Sequence, residues 1–138
     1  MPIIAQLLFD HAVNGIRQQG KRAVDEKGLC QYRAPDGCKC AFGQVLPDEL
    51  YDTRTENKFS YTVISTFAGL EELKSYDDLL GDLQAAHDRA GFSDCSLGHK
   101  ELSALTIEKQ EELVEESFSH VANKHGLKYT KQPWNRVK

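Results

Sequence analysis

The chain has 138 residues, of which 40% are hydrophobic and 28% charged, with four prolines, four cysteines and a net charge of −4. That balance suits one soluble domain with a real apolar core and excludes a disordered tail protein and a collagen-like chain. Its apolar runs are too short to span a bilayer, and MPIIAQLLFDHAV lacks the basic region and small-residue cleavage site of a secretory signal.

Residues 3–19 repeat Ile4, Leu7, Leu8, Ala12, Val13 and Ile16 at helical spacing, and Gly20 closes the helix. Lys21–Gly28 is polar and reads as a connection. Leu29–Arg33 has strand-like composition, and Ala34-Pro35-Asp36-Gly37 is a turn, because proline presets φ and glycine accepts positive φ. Cys38-Lys39-Cys40 then returns, so residues 29–40 are expected to form a small β-hairpin that needs helices to pack on.

Ala41–Leu46 predicts a short helix stopped by Pro47, and Asp48–Lys58 is charged and irregular. Ser60–Leu70 puts Val63, Ile64, Phe67 and Ala68 on one helical face, with Ser60 as cap. Tyr76–Ala90 does the same with Leu79, Leu80, Leu83, Ala86, His87 and Ala90, ending at Gly91. After a loop to Lys100, Ser103–His125 is expected as the longest helix, closed by Gly126. Its buried stripe is Ile107, Val114, Phe118, Val121 and Ala122, and its wet face is Glu111, Glu112, Glu115 and Glu116. The expected fold is therefore mainly α: about five helices around one core, with a small β-hairpin near 29–40. Residues 1–126 form one globular domain and 127–138 a basic C-terminal tail.

Three words stand out. They are Cys30-Gln31-Tyr32-Arg33, then Gly37-Cys38-Lys39-Cys40-Ala41-Phe42-Gly43-Gln44-Val45-Leu46-Pro47-Asp48 with Tyr51 following, and Leu83-Gln84-Ala85-Ala86-His87-Asp88. In these words the chain resembles a family of small uncharacterised proteins of tailed bacteriophages and prophages. Members share a leading helix, a C-x-Y-R word, a G-x-K-C-A-x-G word and a late L-Q-x-x-H-D word. The resemblance covers roughly residues 7–90, and the chain departs from the pattern at Val45 and Cys38. It implies a phage accessory protein at work in the bacterial cytoplasm and carries no established activity.

Two sets of residues could carry chemistry. Cys40 near a helix start, with His87 as base and Asp88 to orient it, would make a nucleophilic site, and Arg33 could hold an anion. Against that, His87 lies on an apolar face, and helical geometry turns Asp88 away from it. Alternatively Cys30, Cys38, Cys40 and His87 could hold zinc, with His99 or Cys95 as a replacement ligand. The C-x7-C-x-C spacing is not a zinc-knuckle spacing, and a buried cysteine commonly serves as a small hydrophobe.

Charge favours a different reading. Residues 124–138 hold Lys124, Lys128, Lys131, Arg136 and Lys138 and no acid, whereas the remainder has 12 basic and 21 acidic residues. Such an acidic surface repels duplex nucleic acid and suits a host protein with a basic surface. The candidate binding residues are Glu108, Glu111, Glu112, Glu115 and Glu116, with Asp77, Asp78 and Asp82 as a second group. Trp134 is expected to serve as an aromatic anchor in the tail. Together with the phage resemblance, this predicts a binding protein that inhibits a host macromolecule, such as a CRISPR effector, and needs no cofactor. The alternative is a small cysteine- or zinc-dependent enzyme using Cys40, His87 and Asp88.

Overall fold

A computed structural model describes residues 2–24, 31–34, 36–46, 71–89 and 99–135. These form helices α1 (Pro2–Gln19), α2 (Ala41–Val45), α3 (Asp77–Arg89), α4 (His99–Ser103) and α5 (Ile107–Lys124), with a 3-10 turn at Glu71–Tyr76 leading into α3. The helix expected over Ser60–Leu70 lies outside the described residues, as do Cys30, Cys95 and Tyr51.

The core forms where α1 packs on α2, α2 on α3, and α3 on α5. Phe9, Ala12, Val13 and Ile16 face it from α1, Leu79, Leu80, Leu83 and Ala86 from α3, and Val114, Phe118, Val121 and Ala122 from α5. Each long helix thus buries one stripe at helical spacing, as the sequence predicts for α3. α1 departs from expectation at its start. Ile4 is 48% and Leu7 62% exposed, because both lie on the side of α1 away from Phe9 and Ala12.

Helix ends follow local chemistry. Gly20 leaves α1 at φ +77° and donates to the Ile16 carbonyl at 3.0 Å. Gly126 closes α5 at φ +67°, and the Leu127 amide reaches back to the Ala122 carbonyl at 2.8 Å. The helix expected over Ser103–His125 begins later, at Ile107, and Ser103 instead ends the separate helix α4. Thr106 caps α5 by accepting from the Lys109 amide at 3.1 Å, so the chain bends between Ser103 and Ile107 with no glycine or proline to announce it. Ile107 consequently sits in the first turn of α5 and is 37% exposed, not buried.

The expected hairpin is not formed. The chain does turn at Gly37, which has φ +90°, and Ala34 and Cys38 are joined by a 2.8 Å amide–carbonyl bond. Pairing nevertheless amounts to one antiparallel bridge, Arg33 to Lys39, with no strand among the described residues. The reason is that the returning arm ends at once: Cys40 is already the N-cap of α2, and the Gln31 amide is taken by the Ala23 carbonyl at 3.0 Å. Gln19 bonds both the amide and the carbonyl of Lys39, at 3.0 and 2.8 Å, and Gln44 also donates to that carbonyl. These Lys39 groups face away from Arg33, so the two glutamines tie the outer edge of the turn to α1 and α2.

α2 lies against this turn. Tyr32 and Phe42 meet edge to face at 5.5 Å, and a Cβ on Gly43 would press into the Tyr32 carbonyl oxygen. The Cys-Ala-Phe-Gly word is thus a close helix-to-backbone contact that only glycine permits. Gly43→Ala should cost about 1–3 kcal/mol, the usual range for overpacking. Urea denaturation checks this, and an unchanged midpoint would contradict the contact.

Candidate functional site

Cys40, His87 and Asp88 meet the fold as structural parts. Cys40 is fully buried at the N-cap of α2, where its Sγ accepts from the Gly43 amide at 3.3 Å. His87 is fully buried on α3. Its Nε2 accepts the Ala23 amide proton at 3.0 Å, which places the ring proton on Nδ1, and Nδ1 donates to Asp88 Oδ1 at 2.8 Å. Asp88 therefore does orient His87, and the expectation that helical geometry turns it away is corrected: the carboxylate folds back along the helix end. A histidine that acts as base needs a nitrogen open to its substrate, and here a backbone amide occupies that nitrogen.

The same network ties two of the sequence words together. Gln84 accepts from the Phe42 amide at 2.8 Å, capping α2, and donates to Asp88 Oδ1 at 3.0 Å. Arg22 donates to the carbonyls of His87 and Asp88 at 2.6 and 2.7 Å and to the Ser103 hydroxyl at 2.8 Å. A guanidinium on the last carbonyls of α3 satisfies groups the helix leaves open and complements its dipole. The L-Q-x-x-H-D word thus joins α3 to α2, to the segment after α1, and to α4.

Among the described residues no three His, Cys, Asp or Glu side chains gather where they could hold a metal ion. Cys30 and Cys95 lie outside those residues, and Cys38 and Cys40 are free buried thiols. Burial raises the Cys38 pKa and neighbouring Asp36 adds to the rise, so the group stays a neutral thiol. Lys21 holds Asp36 in a 2.6 Å ion pair, which keeps that carboxyl below its ordinary value.

The acidic face is smaller than the sequence predicts. Glu108, Glu112 and Glu116 are exposed on α5, and Glu111 is half-buried. Spaced four residues apart, the three exposed acids form a row with steps of about 6 Å along the axis. Lys109 pairs with Glu112 at 3.2 Å at the surface, a contact of little energetic weight. In the second group Asp78 is exposed and Asp77 half-buried, while Asp82 is bonded by Lys124 at 2.9 Å and His125 at 2.7 Å.

Glu115 is not on the wet face. It is 1% exposed and accepts four hydrogen bonds. Arg17 of α1 grips it in fork geometry at 2.8 and 3.0 Å, the Tyr129 hydroxyl donates at 2.6 Å, and Trp134 Nε1 donates at 2.9 Å. Trp134 is likewise corrected: it is 2% exposed and inserted in the fold, not an anchor presented to solvent. Burial works to lower the Arg17 pKa, but the bond and charge of Glu115 outweigh it and hold the guanidinium above its ordinary value. Burial, then Glu115, pushes the Tyr129 hydroxyl up strongly, so it remains a donor.

This hub fastens Leu127–Asn135, an extended segment that returns along α1. Gln6 bonds both the amide and the carbonyl of Lys128, at 2.8 and 3.0 Å, and Arg17 donates to the Thr130 carbonyl at 2.8 Å. At its end the Asn135 amide donates to the Arg17 carbonyl at 2.8 Å and its side chain to the Gln18 carbonyl at 3.2 Å, capping α1. Between the segment and α1 lies a cleft of about 300 Å³, lined in part by Phe9, Asp10, Val13 and Gln132.

Sequence reasoning missed Arg17 and Arg22. One signal was present: Glu115, Phe118 and Ala122 share one side of α5 at spacings of three and four, so this acid falls beside the buried stripe. Among the described residues no helix is long and apolar enough to cross a membrane. No family model matches the chain, and no curated protein or solved structure matches it either.

Proposed function

We propose that the chain is an accessory protein of tailed phages or prophages that binds a basic host macromolecule in the bacterial cytoplasm and inhibits it. The observation that carries this reading is the row of exposed carboxylates Glu108, Glu112 and Glu116 on α5. Support comes also from the acidic balance of the first 123 residues and from the phage-like words. A regular line of negative charge complements the channel of a nucleic-acid-binding complex, and a defence complex such as a CRISPR effector is the host target of that kind. Structural use of Cys40 and His87 favours binding over the cysteine or zinc enzyme.

Capture of the partner from bacterial lysate, followed by association kinetics, tests the reading. Glu112→Lys with Glu116→Lys should slow association by about tenfold at low salt, with a smaller effect at high salt. The fold should survive, since both sites are exposed. Cys40→Ser should bind as the parent does, because serine also caps a helix. Binding that is indifferent to salt and to the reversals, with Cys40→Ser inactive, would replace this reading by the enzyme.

A further inference from the structure

We propose that Leu127–Asn135 is a displaceable cover that competes, within the chain, with the basic partner for the acidic side of α5. The proposal rests on the binding reading above and adds its regulation. Three observations carry it.

The first is position. Glu115 is the point on α5 to which Tyr129 and Trp134 fasten. Glu108 and Glu112 lie only about 20° and 60° round the helix from Glu115, so the cover runs beside the row. The second is charge. The cover carries Lys128 and Lys131, both exposed, and no acid. While seated it adds positive charge where a basic partner would approach, and that charge leaves with it. The third is seating. Residues 130–133 and 135 are exposed, Trp134 alone is fully buried, and the cleft of about 300 Å³ separates part of the segment from α1. A segment with few buried apolar contacts opens at lower free energy than the core beneath it.

Being tethered, the cover acts at high effective concentration, so a partner must outcompete it. Apparent affinity then scales with the fraction of molecules whose cover is open. Arg17 stays with Glu115 when the cover leaves, because that fork joins α1 to α5 directly. Opening therefore withdraws Trp134 from the core but leaves the ion pair between α1 and α5 in place.

The test uses the full chain and a decalysine peptide as the basic probe. Trp134 is the single tryptophan, so its emission reports the cover. At low salt decalysine should bind and shift the emission to that of an exposed indole. Tyr129→Phe keeps the ring, Trp134→Phe keeps an aromatic but smaller side chain, and each removes a donor to the Glu115 carboxylate. Each should bind decalysine about tenfold tighter, the change expected when the closed state loses one hydrogen bond to a charged group. Decalysine binding that is abolished by Glu108→Lys, Glu112→Lys and Glu116→Lys together, yet leaves Trp134 emission and both variants' affinities unchanged, would overturn the cover and keep the acidic-face reading. Absence of decalysine binding to the parent and to both variants would overturn both.

Discussion

Glu115→Ala is expected to destabilise the protein by about 3–5 kcal/mol, the range for removing one partner of a buried ion pair. The carboxylate accepts two bonds from Arg17, one from Tyr129 and one from Trp134. Its removal strands a guanidinium that is 9% exposed as a residue and withdraws the acceptor from two further donors. Against a typical total of about 5–15 kcal/mol, that is a large fraction. Urea denaturation measures it, with Trp134 emission reporting whether the C-terminal segment detaches first. Arg17→Met combined with Glu115→Leu should cost less than Glu115→Ala alone, because the pair is replaced by apolar groups and no charge is left buried. A loss below about 1 kcal/mol for Glu115→Ala would contradict the buried hub.

Phe118→Ala should cost about 3–5 kcal/mol by a different route, lost transfer energy plus a cavity. Phe118 is fully buried on α5, in the stripe that faces the core, among the largest side chains there. The midpoint of chemical denaturation should fall with its slope unchanged, as for a native state that keeps its architecture. A change below about 1 kcal/mol would mean that the cavity closes or that the stripe is not core.

Both predictions concern one helix, but only the second was legible in the sequence. Phe118 is found by periodicity, since an aromatic at the spacing of Val114 and Val121 belongs to a buried face. Glu115 shares that helix and was assigned to the wet face by residue type. What buries it is Arg17, 98 positions away, with Tyr129 and Trp134, and no local pattern carries a pairing of that range. Trp134 misled for the same reason: its cover is a carboxylate and the C-terminal end of α1, neither of them nearby in sequence. The break at Thr106 was invisible because threonine is also tolerated inside helices, and only the Lys109 amide reveals it as a cap. The turn at Gly37 was legible from Pro35 and Gly37. The absence of a ladder after it was not, because the returning arm passes into α2 at its cap Cys40 and the Gln31 amide goes to the Ala23 carbonyl. The L-Q-x-x-H-D word was conspicuous, and half its reading held. His87 is buried, as its apolar face predicts, but Asp88 is not turned away from it: the ring bonds that carboxylate and the Ala23 amide.

The capping of α1 by Asn135 sets an order of events during synthesis. The first helix leaves the ribosome early, yet its last carbonyls, and the arginine in its final turn, meet their partners only after about a hundred more residues have been made. Until then Arg17 has no carboxylate and the end of α1 has no lid of amides. Contacts of such long sequence separation are slow to form, so early collapse around α1 is expected to remain provisional. Ribosome-bound chains halted before residue 115 should show α1 without protected amides in hydrogen exchange, and chains extended past residue 135 should gain that protection in one step.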